Sequence, residues 1–316
     1  MRTELSSLDL YYLTKEFSSL IGSKIEKVYD DTKVFALKLF GRSEKRIIKI
    51  ILPSFIFLSE EKGEFMESGK FSLSLRKHIS NTKIVGISQR EFERIIELDL
   101  EGKETNYRLY IELFRPGNII LCDESQKIIM AKQYKGFGAR MIRPGINYEY
   151  PKKEFNILNL KEGDLVNLLE KSDKSSIVIS LATILGLGGL YAEELCDISK
   201  IDKKKQKLDT QEIKKLYDAI NGIINKKGKG YVYLENGKIT DITPFELVKY
   251  KDQQPEIFDS FNVALDMHLS LAVKQENDKK KLSKYENEKE KLNAILKNQE
   301  MQIKGMENSA KESQRK

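Results

Sequence analysis

The stretch Ser88–Leu100, SQREFERIIELDL, sets an acid beside a base at Glu93 and Arg94. Read as a strand from residue 93, side chains alternate, so Arg94 shares a face with Ile96, Leu98 and Leu100, while Glu93 goes with Glu97 and Asp99. A guanidinium at the end of an apolar face needs a carboxylate or phosphate partner, because an unpaired buried charge is costly. Asp9, in LSSLDLYYL, is one candidate partner, and its spacing from Ser6 also fits a helix capping box. Arg76 and Lys77, in LRKHI, are a further basic pair, suited either to an RNA backbone or to a solvated helix face.

A second chemistry needs no reactive side chain. The run LGLGGLYAEEL, residues 185–195, sets Gly186, Gly188 and Gly189 inside an apolar hairpin, with Leu190, Ala192 and Leu195 on one face of the helix that follows. Gly186 permits a tight turn, Gly188 a close backbone approach, and the helix start offers free N–H groups. Such a hairpin holds a phosphate by backbone donors and helix dipole without reading bases. The alternative is a packing unit whose glycines serve steric needs only. The neighbouring KIDKKKQK, Lys200–Lys207, adds positive charge, or a solvated basic loop.

These residues need a scaffold, and the sequence predicts an α+β one. Ser6 starts a helix carrying Leu10, Leu13, Phe17 and Leu20 at helical spacing and ending at Gly22. From Ile25 to Gln133 short strands alternate with turns such as Asp30-Asp31 and Gly41–Ser43, giving an antiparallel sheet or flattened barrel. One helix, Ser72–Ile79, interrupts them and offers Leu73, Leu75 or Ile79 to the sheet. Helical spacing returns from Leu165 to Ile224, then a hairpin turns at Asn236-Gly237 and is expected to rejoin the first sheet. After Phe258, Leu282, Tyr285, Leu292, Leu296, Ile303 and Met306 keep heptad a/d positions, with Lys289 and Gln299 in the other two, a coiled-coil seam that needs a partner helix. The expected domains are 1–174 completed by segment 226–262, then 175–225 as a helix-hairpin-helix, then 263–316 as the first part of a coiled coil.

Composition narrows the function. A chain of 316 residues exceeds one ordinary core. A net charge of +7, with a third of residues charged, suits a protein that meets polyanions. Two cysteines, Cys122 and Cys196, make no disulfide framework, and with His78 and His268 alone no zinc cluster is expected, nor any other metal or cofactor. The apolar run 177–190 is too short to span a bilayer, so a cytoplasmic protein without membrane partners is expected.

In order along the chain, LSSLDLYYL, LRKHI, QREFERIIEL, ELFRPGNIILCDE, GLGGLYAEELC and DITPFELVKY…FDSFNVALD resemble the NFACT family, in an archaeal-type member ending within its coiled coil. The resemblance implies an N-terminal domain of glycosylase-like layout and a ribosome quality-control factor. Such factors bind the large ribosomal subunit carrying obstructed peptidyl-tRNA and recruit aminoacyl-tRNA for template-free tailing of the stalled chain. It also implies a partner among ubiquitin ligases or other degradation factors, through the coiled coil or regions beyond it. The family's first-helix aspartate and Asp-Arg pair, needed for tRNA function, fall on Asp9, Glu93 and Arg94; Glu93 departs from the usual Asp, keeping the charge with a different reach. Arg94 is the expected tRNA contact, with Asp9 and Glu93 orienting it, since two carboxylates would repel a phosphate. Peptide-bond formation would belong to the ribosome, so the chain is not expected to be an enzyme.

The same layout is similar to formamidopyrimidine-type DNA glycosylases, so a DNA-binding protein is the alternative. Those enzymes use an N-terminal proline and a four-cysteine finger, whereas this chain begins Met1-Arg2 and has two cysteines. A third reading, an adhesion protein, finds no secretion signal or wall anchor to support it.

Overall fold

The computed structural model describes residues 3–30, 34–41, 45–60, 69–134, 136–137, 140–153 and 155–313. Met1-Arg2 and parts of the expected Asp30-Asp31 and Gly41–Ser43 turns lie outside them. Two compact units are present, Met1–Asp266 and Met267–Lys316.

The first unit opens with helix α1 (Ser7–Phe17), started by the expected capping box: the Asp9 carboxylate accepts from the Ser6 N–H at 2.6 Å, and Ser6 Oγ accepts from the Asp9 N–H. Leu8, Leu10, Leu13 and Phe17 are fully buried, each stabilising the packing by about 1.5–3 kcal/mol. A short 3-10 turn, Ser18–Leu20, then leads to the sheet.

Strands β1 (Lys24–Asp30), β2 (Phe35–Phe40), β3 (Lys45–Ile51) and β4 (Phe55–Ser59) form a meander. Helix α2 (Lys70–Ile79) follows, then a second meander of β5 (Lys83–Gln89), β6 (Ile95–Glu101), β7 (Tyr107–Glu112), β8 (Asn118–Asp123) and β9 (Ile128–Ala131). Together they make one antiparallel sheet ordered β4-β3-β2-β1-β5-β6-β7-β8-β9. The two meanders join where Lys24 lies opposite Lys83, with backbone hydrogen bonds between residues 22–25 and 81–84 on either side. β4 was not expected from the sequence; its FIFLS follows Pro53 without a polar turn cluster to set it apart. Of the three α2 side chains offered to the sheet, Leu75 and Ile79 are buried, whereas Leu73 points outward and is 48% exposed.

Beyond the short pair β10 (Gly136–Phe137) and β11 (Arg140–Met141), four helices follow: α3 (Glu162–Lys171), α4 (Ile177–Thr183), α5 (Gly188–Ser199) and α6 (Thr210–Asn225). α4 packs on α5, and α6 packs on both α3 and α5. The hairpin β12 (Gly230–Glu235) and β13 (Lys238–Thr243) turns at Asn236-Gly237, both at positive φ, as the sequence predicts. It does not rejoin the first sheet. Its open edge is taken by β14 (Glu256–Phe258), giving a separate sheet ordered β13-β12-β14.

Helix α7 (Phe261–Ser313) starts in the first unit. The Glu16 carboxylate caps it, accepting from the N–H groups of Phe261 and Asn262 and from Ser260 Oγ. Asn262 in turn exchanges two hydrogen bonds with the backbone of Leu58. In the second unit the expected seam side chains Leu282, Tyr285, Leu292, Leu296, Ile303 and Met306 are all exposed.

Candidate functional site

An open cleft of about 800 Å³ gathers three segments distant in sequence: the chain leading into α1 (Thr3 to Ser7, the first residue of the helix), Glu93 and Arg94 before β6, and the α4–α5 turn with the start of α5 from Gly186 to Tyr191. Glu193, Thr240, Asp241 and Lys249 also line it, with Phe114, Pro151 and Ala182. Five of the eight residues singled out in the sequence, Glu93, Arg94, Gly186, Gly188 and Gly189, therefore line one surface.

Glu93 and Arg94 sit in the turn before β6, not in the strand, because Glu91 and Phe92 at positive φ reverse the chain there. Arg94 is paired, although not with Asp9. Its Nη1 and Nη2 each lie 3.1 Å from one carboxylate oxygen of Glu4, and Nη2 also donates to the Pro53 carbonyl. Its Nε is buried without a hydrogen-bond partner among the described residues. Glu93 is paired with Lys153 at 3.0 Å, and Lys153 also donates to the Phe92 carbonyl.

Asp9 is fully buried and serves another contact. Besides capping α1, it accepts a hydrogen bond from the Tyr191 hydroxyl on α5, so its carboxylate ties α1 to the helix that follows the glycine turn. Asp9 is thus one residue removed from the cleft, through Tyr191.

The glycine turn is what the residue types demand. Gly186 and Gly188 adopt φ of +68° and +73°, where a Cβ is strained, while Gly189 lies in the helix with open space around it. Leu187 at the N-cap carries no side-chain acceptor, so among the described residues the first N–H groups of α5 are open to water or a ligand. The buried face of α5 is Tyr191, Ala192, Leu195 and Cys196. Glu194 is buried too, and its carboxylate accepts from the N–H groups of Val248 and Lys249, which sets Lys249 at the rim. Burial pushes the Glu194 pKa up, partly offset by those two donors.

Three of the four carboxylates of the cleft have a cation beside them, and the fourth has a hydroxyl donor. The four are Glu4, Glu93, Glu193 and Asp241. Glu4 faces Arg94, Glu93 faces Lys153, Glu193 lies 3.8 Å from Lys203, and Asp241 accepts from the Tyr250 hydroxyl. Lys249 is the exposed cation at its edge.

Arg76 and Lys77 belong elsewhere. The Arg76 guanidinium donates to the Val28 carbonyl and lies over the Tyr29 ring, so it fastens α2 to β1; Lys77 is exposed on α2. Two lysines of the 200–207 run are ion-paired, Lys203 with Asp197 and Lys205 with Glu212. Sequence reasoning missed Glu4, Lys153, Tyr191, Glu194 and Lys249. A carboxylate on an otherwise apolar helix face was the available signal for Glu194; the others have none.

The chain matches the family of NFACT N-terminal and middle domains over residues 6–316. It is 29% identical to the archaeal Rqc2 homolog aRqcH of Methanocaldococcus jannaschii, over 99% of this chain and 49% of that protein. It is 25% identical to the ribosome quality control complex subunit NEMF of Homo sapiens, over 97% of this chain and 31% of that protein. The chain thus spans half or less of the length of these two curated relatives. Its fold is similar to the N-terminal part of the fibronectin/fibrinogen-binding protein from Streptococcus suis, with a TM-score of 0.67 and 20% identity over 84% of this chain and 99% of that one. With the family match running through the cleft and on to the last residue, this chain belongs to the NFACT family.

Proposed function

We propose that this chain is the N-terminal and middle part of a ribosome quality-control factor that binds tRNA through the cleft. One observation carries the reading: Arg94, Lys249 and the uncapped start of α5 converge on one cleft in a chain that relatives named for ribosome quality control match almost end to end. Guanidinium, ammonium and helix N–H groups are the donors that phosphate recognition uses. In this reading α4 and α5 act as a helix-hairpin-helix unit and contact the backbone of tRNA, not its bases. The factor sits on the large ribosomal subunit with obstructed peptidyl-tRNA in the cytoplasm and recruits aminoacyl-tRNA for tailing, while the ribosome makes the peptide bond.

The domain division at 1–174 with 226–262, 175–225 and 263–316 follows the same reading. The exposed seam of the second unit is the surface for a partner helix, and a ubiquitin ligase or other degradation factor would dock there or beyond it. The test is tRNA binding by this chain across a salt series, with a DNA duplex as competitor. A steep fall of log affinity with log salt and a preference for tRNA support the reading. A flat salt dependence removes it, and a preference for the duplex favours DNA.

A further inference from the structure

We propose that Glu4 is an internal stand-in for a nucleic-acid phosphate, occupying Arg94 until RNA displaces it. The inference rests on the tRNA reading of the cleft and adds to it the residue that sets the affinity of the site.

Both terminal nitrogens of Arg94 meet both oxygens of Glu4 at 3.1 Å, the forked arrangement that guanidinium makes equally with carboxylate or phosphate. A phosphate reaching Arg94 must therefore take the place of Glu4. The two partners differ in how easily they part. Arg94 is 19% exposed and also held by the Pro53 carbonyl, whereas Glu4 is 41% exposed and its contacts to Arg94 face the cleft. The backbone next to Glu4 is fixed by the Leu5 N–H donating to Ser54, so the side chain alone swings away.

The second pair of the cleft behaves differently. Lys153, 8% exposed, is locked between Glu93 and the Phe92 carbonyl and packs beside Gly186, so it supports the cleft from behind its lining and holds Glu93 in place. The unpartnered Arg94 Nε shows that Glu4 leaves one donor of the guanidinium unused. The forked, part-buried pair holds Glu4 more firmly than an ordinary surface ion pair would, so its displacement draws on the further phosphate contacts that Lys249 and the α5 N–H groups offer in the same cleft.

The test compares the chain with Glu4→Gln, Arg94→Ala and the double variant, in binding of tRNA and, separately, of short-chain inorganic polyphosphate, with thermal melting as the check on folding. Glu4→Gln is expected to bind both ligands about three- to fivefold more tightly. The slope of log affinity against log salt should steepen by roughly one ion. Both gains should vanish in the double variant. Unchanged or weaker binding of both ligands by Glu4→Gln, or a gain that persists without Arg94, overturns the proposal. Should no variant bind tRNA while polyphosphate shows the Glu4 and Arg94 dependence, the tRNA reading fails and the stand-in role of Glu4 holds.

Discussion

The Asp9 carboxylate shows how one side chain links local structure to a distant surface. It satisfies donors at the start of α1 and holds the Tyr191 hydroxyl of α5, 182 residues away in sequence. Tyr191→Phe removes a hydrogen bond to a charged group and should cost about 1.5–3 kcal/mol in urea unfolding. A loss below about 0.5 kcal/mol, the range of an ordinary surface change, would show that Asp9 does not depend on the Tyr191 hydroxyl. Asp9 combined with Tyr191 in a double-mutant cycle should be non-additive. The two thiols belong to this scale as well. Burial pushes Cys122 up to about 12 and Cys196 up to about 11, so both stay protonated near neutral pH. A thiol reagent at pH 7.5 should label neither in the folded chain and both after unfolding; labelling of either in the folded chain contradicts their burial.

At the scale of elements, the glycine turn aims α5 at the cleft. Alanine at Gly186 or Gly188 must hold a positive φ, and each should lower stability by about 1–2 kcal/mol. Alanine at Gly189, helical and uncrowded, should be neutral or raise stability by about 0.5–1 kcal/mol. Equal effects at all three positions would contradict the turn geometry. Elements whose signals are local were legible in the sequence: the α1 capping box, the Asn236-Gly237 hairpin and most strands of the sheet. What was not legible is which element an edge or a charge meets. The β12–β13 hairpin takes β14 as its neighbour in place of the first sheet, and Arg94 takes Glu4 in place of Asp9, because both choices depend on where the chain returns in space.

At the scale of the whole chain, two surfaces carry the predictions. In the second unit the heptad side chains Leu282 to Met306 lie between 53% and 66% exposed, as a seam without its second helix would. Sedimentation over a concentration series should show association that Leu292→Lys with Leu296→Lys abolishes, with the melting of the first unit unchanged. A monomer at every concentration would make the heptad stretch of α7, residues 282–306, a solvated single helix. The other surface is the cleft, assembled from residues near 4, 94, 188 and 249, and its assembly is the claim on which the functional reading depends. The most direct test is tRNA binding by Arg94→Ala beside Arg76→Ala, each with its melting curve. Removing one phosphate contact should weaken tRNA binding by roughly tenfold at Arg94 and reduce the salt slope by about one ion, while Arg76→Ala alters melting but not binding. Unchanged tRNA binding by Arg94→Ala with the fold intact would contradict the account and leave Arg94 as a structural partner of Glu4.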